Sequence, residues 1–161
     1  MQRIFLTVGG QLHFDRLVRL VDEWALEHPQ VEIFAQIGKA EYRPENFDSV
    51  PLLEPAQFRS ELAKATTIVA HAGMGTILTG LELRKAILLF PRLARLREHR
   101  TDHQIDTARY FANEGLVRVA FDRDELYREL STLESWTRPA AIADRASDEL
   151  VDRIRRFVLA R

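Results

Sequence analysis

Thr67-Ile68-Val69-Ala70-His71-Ala72-Gly73-Met74-Gly75-Thr76 joins a β-branched apolar run to a polar turn that carries two glycines. The run reads as a buried strand, and the spacing from Thr76 to about Leu83 predicts a helix. A strand that ends in a glycine turn and opens a helix is the repeating unit of a parallel sheet with crossover helices. The free amides of Gly73 to Thr76, with the Thr76 hydroxyl, could hold a phosphate. The plainer alternative is a helix start with flexible glycines.

The same alternation extends outward from this stretch. Upstream, Ile4–Val8 predicts a strand, broken by Gly9-Gly10-Gln11, and Phe14 to Ala25 recur at helical spacing. Val31–Ile37 predicts a second strand and Val50–Leu53 a short third one. Pro55 suits the first turn of a helix reaching about Lys64. Downstream, Ala86–Phe90 predicts a strand stopped by Pro91. An arginine-rich loop over 92–100 follows, then a helix from Asp102 to Asn113. Leu116–Ala120 predicts the last strand. Asp122 or Asp124 caps a helix to about Leu130, and a terminal helix is expected over roughly Ala140–Leu159. The chain therefore predicts one α/β domain, a Rossmann-like parallel sheet of about six strands with helices on both faces.

Composition narrows the function classes. The chain has 161 residues, 46% of them apolar, which suits a single domain with a real core. With 23 basic and 24 acidic residues the net charge is −1, so no nucleic-acid partner is expected. There are no cysteines, which excludes thiol catalysis and thiolate metal sites. His99 and His103 have helical spacing but lack an evident third ligand, so no metal is expected. No apolar run approaches the ~18–20 residues that span a bilayer, and no signal-peptide pattern precedes the first strand. The expectation is a soluble chain.

In open α/β sheets, ligands bind beyond the carboxyl ends of the strands. That singles out the loops Gly9–Gln11, Gly38–Tyr42, Leu53–Pro55, His71–Thr76 and Pro91–Gln104. Gly9-Gly10-Gln11 reads either as a close approach to a ligand or as a tight turn that binds nothing. Glu98-His99-Arg100-Thr101-Asp102-His103-Gln104 concentrates groups that hydrogen-bond hydroxyls; a solvated loop with a helix cap is the competing reading. Arg92, Arg95, Arg97 and Arg100 form a basic cluster, suited to phosphate, an acidic sugar or an anionic headgroup, or else to water. Neither a P-loop nor a full dinucleotide fingerprint is present.

Several of these segments, in this order, resemble the C-terminal domain of glycosyltransferase family 28. They are Phe5-Leu6-Thr7-Val8-Gly9-Gly10-Gln11 with Phe14-Asp15-Arg16-Leu17-Val18, His71-Ala72-Gly73-Met74-Gly75-Thr76-Ile77-Leu78, Pro91-Arg92-Leu93-Ala94, and Glu98 to Gln104. The chain looks most like the short PssE-like or EpsF-like subunits of exopolysaccharide and capsule glycosyltransferases. It is also similar to the small catalytic subunit of the two-part N-acetylglucosaminyltransferase of N-glycan assembly, and to the C-terminal half of MurG.

The resemblance implies the donor domain of a GT-B glycosyltransferase. It implies a UDP-sugar donor as substrate, inversion at the anomeric centre, and neither cofactor nor metal. The partner is expected to be a membrane-associated subunit that holds a lipid-linked saccharide acceptor. The expected location is cytoplasmic, at the inner face of the membrane through that partner. By position, the turn Ala72, Gly73, Met74, Gly75, Thr76 would face the donor pyrophosphate. His103 and Gln104 would contact the sugar, Leu53 to Pro55 would lie by the uracil, and Gly9, Gly10 and Gln11 would line the acceptor side.

Arg100 is a candidate for the phosphates. A carboxylate for the ribose is expected eight residues after His71, where this chain has Thr79, with Glu82 one turn on as a substitute. His13 and His71 are the candidate general bases. Two other readings stand beside this one. One is a non-catalytic nucleotide-sugar-binding subunit that completes a partner enzyme. The other is an epimerase-like enzyme, which would need two joined halves.

Overall fold

The structure is a computed structural model and describes residues 2–136. Six strands form one parallel sheet: β1 (Arg3–Thr7), β2 (Glu32–Gln36), β3 (Asp48–Val50), β4 (Thr67–Ala70), β5 (Ala86–Leu89) and β6 (Arg118–Val119), in the order β3-β2-β1-β4-β5-β6. Five α-helices connect or follow them: α1 (Asp15–Leu26), α2 (Pro55–Lys64), α3 (Met74–Glu82), α4 (His103–Asn113) and α5 (Arg123–Ser131). This is the Rossmann-like α/β architecture that the alternation predicts.

The period-two alternation of each strand divides the core into two layers. Ile4, Leu6 and Val8 face Phe14, Leu17, Val18, Val21 and Trp24 of the α1 side, with Leu126 and Leu130 of α5 in the same cluster. Phe5, Ile68, Ala70, Ile87 and Leu89 point the other way, onto Leu62 of α2, Ile77 and Leu81 of α3, and Ala108 and Phe111 of α4. Both faces of the sheet are therefore covered, and the central strands are mostly apolar, as in parallel sheets generally.

Three boundaries differ from expectation. The third strand is Asp48–Val50 rather than Val50–Leu53. It is an edge strand held by backbone pairing to β2 alone, so polar residues suffice there. Leu53 instead packs beside the α2-side core, while Leu52 is exposed. Helix α3 starts at Met74, two residues before Thr76, so Gly75 lies inside its first turn. The arginine-rich loop contains a 3-10 turn, Ala94–Leu96, closed by Arg97 in the left-handed region. Asp122 is the cap of α5, its carboxylate accepting from the Glu125 amide at 2.9 Å. The terminal helix expected over Ala140–Leu159 lies outside the described residues. No described helix is long and apolar enough to cross a membrane.

Candidate functional site

β1 and β4 lie side by side at the centre of the sheet. From β1 the chain builds β2 and β3 on one flank; from β4 it builds β5 and β6 on the other. The loops leaving their carboxyl ends diverge and open a crevice, as at any such reversal of strand order. A cleft of about 350 Å³ occupies it. Its walls are Val8 to Leu12, then His71, Gly73, Gly75 and Thr76, and finally Arg92, His99 and Gln104.

His71 is wedged between the two glycine loops. A Cβ at Gly73 would stand 2.3 Å from its Nε2, and one at Gly9 2.9 Å from its Cε1. Gly9 also has φ +74, which suits glycine alone among ordinary residues. The glycines therefore make room for the imidazole as well as for anything in the cleft. Burial, then the nearby Arg92 charge, push the His71 pKa down to about 4, with the Thr7 backbone pulling weakly upward. The ring is neutral at neutral pH, and its buried Nδ1 has no hydrogen-bond partner of good geometry.

Helix α3 opens into this cleft without a side-chain cap; its N-cap is Gly73. The amides of its first turn have no intrahelical acceptor, and the helix dipole adds positive potential there. Thr76 is buried and lines the wall, whereas Met74 is exposed at the turn. Backbone amides, rather than charged side chains, are thus what this wall offers an anion.

The opposite wall is held from within by Arg92, a buried residue. Its guanidinium donates to the carbonyls of His13 (2.6 Å), Glu98 (3.3 Å), Val8 (2.7 Å) and Leu12 (2.9 Å), and lies 4.8 Å from the Phe14 ring centre. Burial lowers its pKa to about 10, and Glu98 opposes the shift. Glu98 is itself consumed: Arg16 grips both its oxygens at 2.7 and 2.8 Å, and one of them accepts from the Leu93 amide. Asp102 accepts from Ala94 N at 2.8 Å. Gln104 is buried, and its Oε1 accepts from Arg92 N at 3.1 Å. Neither alternative offered for Glu98 and Arg92, ligand group or solvated loop, describes them: they tie the β1–α1 loop to the β5–α4 segment.

Of the residues singled out in sequence, Gly9, Gly10, Gln11, His71, Gly73, Gly75, Thr76 and Gln104 share the cleft. Ala72 is buried behind the turn, in the α3-side core. The His13 side chain is exposed and outside the lining. His103 is also exposed; its ring meets Thr101 Oγ1 at 2.8 Å and packs edge-on against His99. Thr79 turns its hydroxyl to the Gly75 carbonyl, and Glu82 pairs with Arg59 at 3.3 Å, so neither lines the cleft. The loop around Leu53 and Pro55 approaches only at its edge, where Leu52 stands beside Gly10. Arg100 lines an adjoining shelf. Leu12 also lines the cleft, unmarked by any polar signal in the sequence, together with His99 and Arg92 of the segments read above. Among the described residues no group of three or more His, Asp or Glu side chains could hold a metal ion.

The comparisons with known proteins agree with this fold. Among solved structures the fold is similar to a kitacinnamycin glycotransferase, with TM-score 0.65 and 20% identity over 99% of this chain and 40% of that one. It is similar to ALG13, with TM-score 0.63 and 18% identity over 95% of this chain and 94% of that one. It is also similar to MurG of Acinetobacter baumannii, with TM-score 0.56 and 19% identity over 97% of this chain and 50% of that one. The chain thus spans about two fifths of the kitacinnamycin enzyme and half of MurG. No curated protein matches it in sequence. The profile of the glycosyltransferase family 28 C-terminal domain matches residues 3–146, and the chain belongs to that family, with the fold of a GT-B C-terminal domain.

Proposed function

We propose that this chain is the donor-binding catalytic subunit of a UDP-sugar-dependent, inverting glycosyltransferase. In this reading it works with a membrane-associated partner on a lipid-linked acceptor, in exopolysaccharide or capsule synthesis. The observation that carries the proposal is the cleft at the strand-order reversal, where the uncapped start of α3 faces Gln104 and the β1–α1 loop. The likeness in fold to ALG13 is in keeping with a donor domain that works with a partner.

In the reaction, an acceptor hydroxyl attacks the anomeric carbon, the bond to the β-phosphate oxygen breaks, and UDP leaves. The α3 amides are placed to stabilise charge on the departing pyrophosphate, the kind of preorganised help that needs no metal. The hydroxyl proton must go to a base. Among the described residues the cleft lining holds no carboxylate, and His71, with a pKa of about 4, takes up a proton poorly near neutral pH. The base is therefore assigned to the partner chain. The same lack of a carboxylate favours a second reading, a nucleotide-sugar-binding subunit that completes an enzyme whose chemistry lies on its partner.

A thermal-shift panel of UDP-sugars tests the proposal. A ligand at a hundred times its Kd stabilises by about 2.7 kcal/mol, so the preferred donor shows directly. At least one UDP-sugar should raise Tm, and Gln104→Ala should remove the rise. A flat response to the whole panel would sink the donor assignment. Turnover by the reconstituted complex that survives loss of donor binding on this chain would leave only the second reading.

A further inference from the structure

Beside the cleft lies a second concavity of about 550 Å³, lined by Gln11, Leu12, Ala94, Arg97, His99 and Arg100. It shares Gln11, Leu12 and His99 with the first, so the two are continuous. We infer that this shelf is a second subsite, which takes the phosphate group of an amphiphilic acceptor through Arg97 and Arg100. The inference rests on the glycosyltransferase reading for the word acceptor, but the anion site is argued from the shelf itself.

Four observations carry it. Arg97 and Arg100 are exposed, and among the described residues their side chains make neither a hydrogen bond nor an ion pair. Their neighbours Arg16 and Arg92 are fully engaged; of the exposed Arg95, Arg97 and Arg100, the last two line the shelf. Of the nearby acids, Glu98 is ion-paired with Arg16, and one oxygen of Asp102 is turned to the Ala94 amide. The Glu98 charge is thus already matched, and among the described residues the two shelf arginines outnumber the one carboxylate, Asp102, left without a cation.

Arg97, moreover, sits at φ 57, a left-handed conformation that glycine or asparagine adopts with less strain. A large cation held at a strained turn position points to a use for its side chain. Finally, Leu12, which lines the shelf, is 39% exposed, and Leu96, next in sequence to Arg97, is 45% exposed. Paired guanidinium groups beside exposed leucines fit a phosphate that carries an apolar chain, since arginine recognises phosphate in a forked geometry. A phosphate on the shelf would place the rest of such a molecule next to the walls that the two concavities share.

The test is co-sedimentation of the full chain with vesicles of phosphatidylcholine alone, and of phosphatidylcholine with one quarter phosphatidylglycerol. Binding should require the anionic lipid. A basic residue near such a surface contributes about 1 kcal/mol, so Arg97→Gly should weaken binding about fivefold and Arg97→Gly with Arg100→Gln about 25-fold. Arg97→Lys should keep most of it. Arg97→Gly relieves the turn, so its Tm should hold or rise, which separates lost binding from lost folding.

Inorganic phosphate, added as a competitor, distinguishes the sources. Release from the vesicles identifies phosphate itself as the ligand, and retention assigns it to the headgroup in its bilayer; either result supports the subsite. No binding, equal binding to neutral vesicles, or unchanged binding by the double variant would overturn it. The UDP-sugar thermal shift runs in parallel on Arg97→Gly, which leaves the cleft lining intact. A chain that responds to no UDP-sugar, yet binds anionic vesicles through Arg97, would refute the donor reading while the subsite stands.

Discussion

The two loops that face each other across the cleft are both dense in polar groups, and they use them in opposite ways. The β4–α3 turn carries few side-chain donors and leaves backbone amides open to the cleft. The β5–α4 segment carries arginines and acids, yet Arg92 and Glu98 turn their groups onto the protein's own backbone and side chains. The difference is burial. A charge taken out of water must be paired at once, so the buried members of the segment become scaffold. Only its exposed members, Arg97 and Arg100 among them, stay available. Small residues at the α3 start bring no such demand of their own.

That contrast can be broken experimentally, most severely at Arg92. Arg92→Met would strand the carbonyls of Val8, Leu12, His13 and Glu98, each costing about 1–3 kcal/mol if left unpaired and dry. With some re-solvation, a loss on the order of 3–5 kcal/mol is expected in urea denaturation. A loss under about 1 kcal/mol, the scale of a surface pair, would show that the segment is not scaffold.

His71 probes the opposite wall through pH. Its folded pKa is about 4, below the ordinary value of 6.5. The unfolded chain therefore binds the proton more readily between these values. The stabilising contribution is complete above pH 6.5 and is lost as pH falls toward 4. At 1.36 kcal/mol per unit it amounts to roughly 3 kcal/mol. His71→Asn should flatten the stability–pH profile in that window, and a wild-type profile already flat there would contradict a buried neutral ring.

Gly73→Ala sharpens the contrast further. The new methyl would collide with the His71 ring, and overpacking of this kind costs about 1–3 kcal/mol. Calorimetry should show UDP-sugar binding lost in a chain that is still folded. Retained binding would mean that the turn is spacer rather than contact.

The elements themselves were largely legible because their signals are local. Helix α2 runs from Pro55 to Lys64 and β4 from Thr67 to Ala70, as proline placement and a β-branched run predict. β3 was misplaced because an edge strand needs no apolar pattern, while Leu52 and Leu53 supplied one outside any strand. The start of α3 was missed because glycines that normally end helices here begin one.

At the site, the glycine turns and Gln104 were readable from their place after strands. The fates of Arg92 and Glu98 were not, since their partners Val8 and Arg16 lie 84 and 82 residues away along the chain. Sequence alone determined the order of strands and helices, the parallel sheet, and the loops at its carboxyl edge, because strand and helix periods and turn chemistry act over a few residues. Tertiary structure alone decided which polar side chains face the cleft and which hold it together. Burial sets that choice, and burial depends on what the rest of the chain brings alongside.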